Sequence, residues 1–306
     1  MKNIIKFIFI LELLNPTITH AQSESELLSL AVKQYTLQDY KNAQQTFSKV
    51  IDMNKSNLDA YFNRALCYYR TEEYSKAVID FSVVISQKPS DVDVLNYRAL
   101  CYQFLEQYTQ ALQDFNRLIQ LKPQYISAYY NRGIVNYNLS NFDNAIQDLT
   151  ISIKNNPNDK DAFMIRGICF MNLKEYQKAI ADLLEAEKIS QENDMVQYNL
   201  GLVYFEMADY DNALLKLRKS LELNDNQSKA YFMIGFILST KKQYPQAIQS
   251  YTLAIKKDPN YADAYYYRAF MYQELGKSEL ACVDWKKASK LKNPDAKNQV
   301  FKNCTN

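Results

Sequence analysis

Few side chains in this sequence could carry out chemistry. The single histidine is His20, so the chain after it can build neither a Ser-His-Asp nor a Cys-His relay, nor a histidine metal site. The five cysteines, Cys67, Cys101, Cys169, Cys282 and Cys304, form no C-x-x-C pair. With 5 glycines there is no G-x-G-x-x-G and no G-x-x-x-x-G-K-[ST] to cradle phosphate. The acidic pair Glu72-Glu73 stands where a turn is expected. Asp59, Asp93, Asp161 and Asp263 each fall in the first turn of an expected helix, where the helix dipole accounts for them. Asn138-Leu139-Ser140, Asn226-Gln227-Ser228 and Asn303-Cys304-Thr305 are glycosylation sequons that count only in a eukaryotic secretory setting. The 36 Lys+Arg against 34 Asp+Glu leave a formal net charge of +2, without the basic domain that nucleic acid asks for. The reading is a protein that is no enzyme, with no cofactor and no metal.

Residues 1–21 differ from everything after them. Lys2 and Lys6 supply positive charge, Ile4 to Leu14 an apolar stretch, and Pro16 breaks it. Thr19-His20-Ala21 is an A-x-A-like cleavage site before Gln22, so residues 1–21 read as a signal peptide. The stretch is too short for a membrane span, which needs about 20 apolar residues. The expected location is therefore periplasmic or secreted, or cytoplasmic if the leader is retained.

The elements that would position any site follow from an internal repeat. Ala43, Ala77, Ala111, Ala145, Ala179, Ala213, Ala247 and Ala281 recur without insertion or deletion. With this alanine as position 20, the repeats run 24–57, 58–91, 92–125, 126–159, 160–193, 194–227, 228–261 and 262–295. Position 17 is Tyr or Phe in seven of them and Ser278 in the eighth, and position 8 is Ala or Gly throughout. Position 24 is an aromatic residue or Leu, as in Phe47, Leu149, Tyr251 and Trp285. Pro89, Pro123, Pro157 and Pro259 stand at position 32, where they end a helix. Positions 4, 8 and 11 share one helical face, and positions 20, 24, 27 and 28 share another. One such helix pair cannot bury its own apolar face, so repeats must stack.

This pattern resembles the tetratricopeptide repeat (TPR) family. The resemblance implies an all-α fold, a right-handed superhelical solenoid of antiparallel helix pairs, and a single array over residues 22–295 followed by a tail, 296–306. It also implies protein binding on the concave face, through positions 2, 5, 6, 9, 12 and 13. Fifteen of the 25 tyrosines fall at positions 4, 11, 17 or 24, and eight of the remaining ten at 5, 6 or 12. The candidate groove comprises Phe62, Asn63, Tyr69, Tyr97, Tyr130, Asn131, Tyr137, Tyr198, Asn199, Phe205, Phe232, Tyr266 and Tyr267. An asparagine can bond both a peptide N–H and a C=O, which suits an extended backbone. The other account of positions 5 and 12 is packing between neighbouring first helices. Position 9 is apolar in every repeat and reads as core.

Cochaperones of the family grip an acidic peptide end with Lys, Asn and Arg at positions 2, 5, 6 and 9. Here position 5 has no Lys and position 2 only Lys229, so that carboxylate clamp is missing. The expected partner is an apolar to neutral protein or peptide segment. The alternative function is a structural component of an envelope or secretion assembly that uses its convex face or ends.

Three further expectations are structural. Arg64, Arg98, Arg132, Arg166 and Arg268 occupy position 7 in the same five repeats that carry Asp80, Asp114, Asp148, Asp182 and Asp284 at position 23. The spacing predicts an Arg–Asp fork within each repeat. Cys67, Cys101, Cys169 and Cys282 read as buried free thiols, with Cys304 in the tail. Residues 296–303 are expected to form a short helix against the last repeat.

Overall fold

The computed structural model of the chain describes residues 23–304. The proposed signal peptide and its cleavage site lie outside them. The described residues form α-helices and no strand. They divide into two compact units, Met1–Leu105 and Glu106–Asn306, and the division falls between the two helices of the third repeat.

The first unit contains α1 (Glu24–Thr36), α2 (Tyr40–Met53), α3 (Leu58–Arg70), α4 (Tyr74–Gln87) and α5 (Val92–Phe104). The second contains α6 (Tyr108–Leu121), α7 (Ile126–Asn138), α8 (Phe142–Asn155), α9 (Lys160–Asn172), α10 (Tyr176–Ile189) and α11 (Asp194–Glu206). It continues through α12 (Tyr210–Leu223), α13 (Ser228–Thr240), α14 (Tyr244–Lys257), α15 (Ala262–Glu274), α16 (Ser278–Lys290) and α17 (Ala296–Asn303). Within each unit consecutive helices pack on one another.

Local sequence sets these boundaries. Ser23, Asn57, Asp91, Asp159 and Asn193 accept bonds from backbone N–H groups of the first turn and so cap the helices that follow. The first helix of each repeat is followed by a residue with positive φ. That residue is Gln38, Glu72, Glu106, Ser140, Lys174, Ala208, Lys242 or Gly276. Only Gly276 occupies this left-handed conformation without a steric cost.

The constant alanines at position 20 are fully buried in all eight repeats. Position 24 lies over position 8, and the two vary together. Where position 24 is Leu149, Leu183, Leu217 or Tyr251, position 8 is glycine; where it is Phe or Trp, position 8 is alanine. A Cβ on Gly201 would stand 2.7 Å from Leu217 Cγ and 2.9 Å from its Cδ2. Leucine branches at Cγ, close to the facing backbone, and the Tyr251 ring lies as close to Gly235, at 2.8 Å from where its Cβ would stand, whereas Phe and Trp are found with alanine. Gly201→Ala is expected to destabilise by about 1–2 kcal/mol, the overpacking cost less about 1 kcal/mol of helix propensity. Adding Leu217→Phe should recover most of that loss in thermal unfolding. A neutral single variant would show that the leucine simply moves aside.

The Arg–Asp forks form. Arg64 Nε and Nη2 donate to Asp80 Oδ2 and Oδ1 at 2.7 and 2.8 Å. Arg132 grips Asp148, Arg166 grips Asp182 and Arg268 grips Asp284 in the same way. The four aspartates are buried. Arg98 and Asp114 stand in different units. Each arginine also uses its Nη1, which sequence reasoning missed. It donates to position 25 of the preceding repeat: Arg64 to Ser48, Arg98 to Ser82, Arg132 to Asn116, Arg166 to Thr150 and Arg268 to Thr252. The guanidinium also lies over aromatic rings of its own helix, as Arg64 does over Tyr61 and Tyr68 at 5.6 and 5.9 Å. Much of the tyrosine content at positions 4 and 11 thus serves the clamp. Where the sixth repeat has Leu200 and Lys216 instead, Lys216 pairs with Glu187 of the fifth at 2.8 Å, and Gln197 donates to the same carboxylate.

The tail corrects one expectation. Cys67, Cys101 and Cys169 are buried free thiols, but Cys282 is disulfide-bonded to Cys304, with Cα atoms 5.5 Å apart. The spacing that keeps thiols of successive repeats apart does not apply here, because α17 folds back and carries Cys304 to α16. Val300 and Cys304 pack against Ala269, Ala281 and Trp285. Phe301 stays 77% exposed.

Candidate peptide-binding face

The first helix of each repeat places positions 5, 6, 9 and 12 on neighbouring strips, because residues three and four apart share a face. In the first unit this assembles Phe62, Tyr69 and Tyr97. Tyr97 lies 6.4 Å from Phe62 and 5.5 Å from Tyr69, both edge-on. Phe104 stacks on Tyr74 at 4.6 Å and closes the cluster. Phe62, Tyr69 and Tyr97 are half-buried, and Phe62 and Tyr97 also meet the core ring of Phe81.

The second unit carries the more open site. A cavity of about 470 Å³ is lined by Phe205 of α11, Phe232, Met233 and Phe236 of α13, Asp263, Tyr266 and Tyr267 of α15, and Asn293, Pro294 and Asp295 before α17. A second cavity of about 420 Å³ adjoins it and shares Phe205 and Met233. Met171, Asn172, Lys174, Tyr176, Leu202 and Glu206 complete that one. The rings of the first cavity meet edge to face: Phe236 and Tyr267 at 5.3 Å and 80°, Tyr266 and Tyr267 at 5.3 Å and 85°.

Of the groove residues expected from sequence, Phe205, Phe232, Tyr266 and Tyr267 come together here. Tyr198 packs against the core beneath them. Tyr130 lies elsewhere, against Leu149, Ile153 and Ala162, and Tyr137 meets Phe142 at 6.3 Å. The asparagines behave differently from one another. Asn63 donates to Asp59 O and Asn199 to Met195 O, each one turn back in its own helix, and Asn199 is buried. Asn131 is half-buried and makes no side-chain hydrogen bond among the described residues. Position 9 differs from its reading as core: none of its eight residues is buried, and Leu202 and Phe236 line the two cavities. Met233, Asp263 and the 293–295 loop were missed. Position 9 was recoverable from the family's contact positions, but the loop lies outside the helices of the repeat and leaves no periodic signal.

The chemistry available is that of contact. Burial pushes the thiols of Cys67, Cys101 and Cys169 up to about 12, which leaves them protonated and inert. Burial also pushes the Tyr130 hydroxyl up to about 12, with Asp159 and Asp161 adding to it, and raises Tyr69, Tyr137, Tyr198 and Tyr266. These hydroxyls remain hydrogen-bond donors at physiological pH. Among the described residues no group of three or more His, Cys, Asp or Glu side chains could hold a metal ion. No described helix is long and apolar enough to cross a membrane.

Comparison with solved structures agrees with this architecture. A chain of the APC/C hetero-tetramer Cut9–Hcn1 matches 92% of this chain at 17% identity, with a TM-score of 0.60. This chain spans only 56% of that one. The C-terminal part of a TPR repeat-containing protein from Cytophaga hutchinsonii matches 78% of this chain at 19% identity and a TM-score of 0.61, over 97% of its own length. MamA from Desulfovibrio magneticus RS-1, from residue 41 onward, matches 56% at 20% identity and a TM-score of 0.54, over 97% of its length. These likenesses carry the fold alone. No curated protein matches the chain. Family profiles described as tetratricopeptide repeat or TPR repeat match residues 28–92, 100–166, 196–227 and 237–276, together about two thirds of the chain. With helix pairs in the same register, a buried alanine at every position 20 and small residues at every position 8, this chain belongs to the tetratricopeptide repeat family.

Proposed function

We propose that this chain is an exported, non-enzymatic scaffold that holds an extended segment of a partner protein along the first helices of its last four repeats. The observation that carries the reading is the pair of adjoining cavities that share Phe205 and Met233. Two adjoining cups suit an extended peptide, which can place side chains in successive pockets. Half-buried rings supply contact area at low entropic cost. The Cys282–Cys304 disulfide supports an oxidising compartment, where such bonds persist.

The test is a peptide-display selection against the mature chain, followed by affinity measurement on two variants. Met233→Lys places a charge between the two cups and is expected to weaken the selected peptides by at least about tenfold, equivalent to about 1.4 kcal/mol. Leu215→Lys alters a second helix at a residue already 62% exposed and should leave binding unchanged. The reverse pattern would favour the reading as a structural component held by its outer face. Tyr130 is a poorer target, since its removal also opens the core around Leu149. Export has its own readout: native protein should begin at Gln22 and carry the Cys282–Cys304 link, and an intact Met1 with reduced cysteines would remove it.

A further inference from the structure

The first cavity contains more than rings. Asp263 and Asp295 both line it, and among the described residues neither makes an ion pair. No lysine or arginine lines it. Lys292 and Lys297 flank Asp295 in sequence, and neither bridges to it. Asn293, which is buried, ties the loop that carries Asp295 to Asp263. Its Nδ2 donates to Asp263 Oδ1 at 2.7 Å, and its Oδ1 accepts from the backbone N–H groups of Asp295 and Ala296 at 3.2 and 3.0 Å. Asp263 therefore keeps a second oxygen uncommitted, and Asp295 both.

We propose that this cup takes an arginine side chain of the extended segment held by the groove. The proposal rests on the groove reading and names its ligand chemistry at one end. Phe232, Phe236, Tyr266 and Tyr267 line the same cavity, so a cation held there lies within reach of aromatic rings. A guanidinium is flat enough to stack on a ring while its edge forks to a carboxylate, and it is shed by water more easily than an ammonium. Charge complementarity selects a basic residue over an apolar one. The occupant is a peptide because the cup adjoins the Met171–Leu202–Met233 cup across Phe205 and Met233, giving room beyond a single side chain. The apolar to neutral partner expected from sequence suits that second cup but not this one. The counts of rings and amides behind it left out the acid at position 2 and the loop at the end of the last repeat.

The test uses the full mature chain and labelled pools of short peptides with one position fixed as Arg, Lys, Leu or Glu. The Arg pool should bind about tenfold more tightly than the Leu pool, with Lys between and Glu weakest, and the preference should shrink at high salt. The double variant D263N/D295N should cut the Arg pool's advantage over the Leu pool to about threefold, the part that ring faces alone supply, and leave the Leu pool's affinity unchanged. Asparagine at 263 keeps an oxygen for Asn293, and circular dichroism checks that the helices persist. An Arg preference that stays near tenfold in the double variant overturns the proposal. So does a Leu pool that binds as tightly as the Arg pool while Met233→Lys still abolishes both, an outcome that leaves the groove standing. Free arginine amide competing as well as an Arg peptide overturns the peptide occupant. If no pool binds, or binding ignores Met233→Lys, the groove reading itself fails.

Discussion

Methionine in place of Arg132 is expected to cost about 3 kcal/mol or more, the range for stripping one partner from a buried ion pair. Asp148 is 3% exposed and receives two bonds from Arg132 at 2.7 and 2.8 Å. Without them only Asn136 Nδ2 remains, at 3.2 Å. The loss measures a stranded carboxylate more than a lost attraction. Removing both charges in the double variant R132M/D148L should therefore return stability to within about 1–2 kcal/mol of the parent. Arg132→Lys should fall near methionine, since a point charge cannot reach Asp148 and Asn116 with the same fork. A stack can open locally, so urea unfolding is best paired with amide exchange across α7, α8 and α9. A single variant within about 1 kcal/mol of the parent would mean that water reaches Asp148 without cost.

Alanine in place of Trp285 is expected to cost about 3–5 kcal/mol, concentrated in the last repeat and α17. Trp285 is 1% exposed and holds Ala269, Ala281, Val300 and the Cys282–Cys304 link around it, with Phe270 edge-on at 5.3 Å. Phenylalanine is a different substitution. Its position-8 partner is Ala269, and Ala with Phe is the combination found in the first three repeats. The Trp285 indole N–H is buried without an acceptor among the described residues. Trp285→Phe deletes that unsatisfied donor along with some volume, and the opposed effects should nearly cancel, within about 1 kcal/mol. Thermal unfolding followed by circular dichroism separates the two variants. Equal losses would show that the size of the indole, not its shape, holds the end of the array.

Most of the fold was legible because it repeats. A buried alanine at one phase fixes two helices, and the Arg–Asp forks could be inferred from two columns that change together. The third column, position 25, carried the same information. Ser48, Ser82, Asn116, Thr150 and Thr252 precede the repeats with arginine, whereas Leu184 and Arg218 precede those without. It escaped notice because Ser, Asn and Thr carry no charge and share no single residue type, so the column does not stand out beside arginine and aspartate. The glycine at position 8 reads as a small residue until it is set beside the leucine at 24. The groove was legible as a strip of rings but not as a site. Spacing places Tyr130 and Tyr266 identically, and only packing shows one covering core and the other lining a cavity. The tail was least legible, since neither the Asn293 loop nor the Cys304 link has a counterpart elsewhere in the chain.

The arginine clamp also bears on how such a chain can change length. Arg64, Arg132, Arg166 and Arg268 each reach acceptors 16 residues behind and 16 ahead, one in the previous repeat and one in their own. Serine, threonine and asparagine all serve in the first role. Adding or dropping a whole repeat therefore leaves an arginine's own aspartate in place, and keeps its second acceptor wherever position 25 of the new neighbour is Ser, Thr or Asn. An insertion or deletion of any other size inside the array moves a carboxylate or a hydroxyl out of reach and leaves a buried charge alone. The eight repeats follow one another with not one residue gained or lost, which is the spacing the clamp requires wherever the arginine is present.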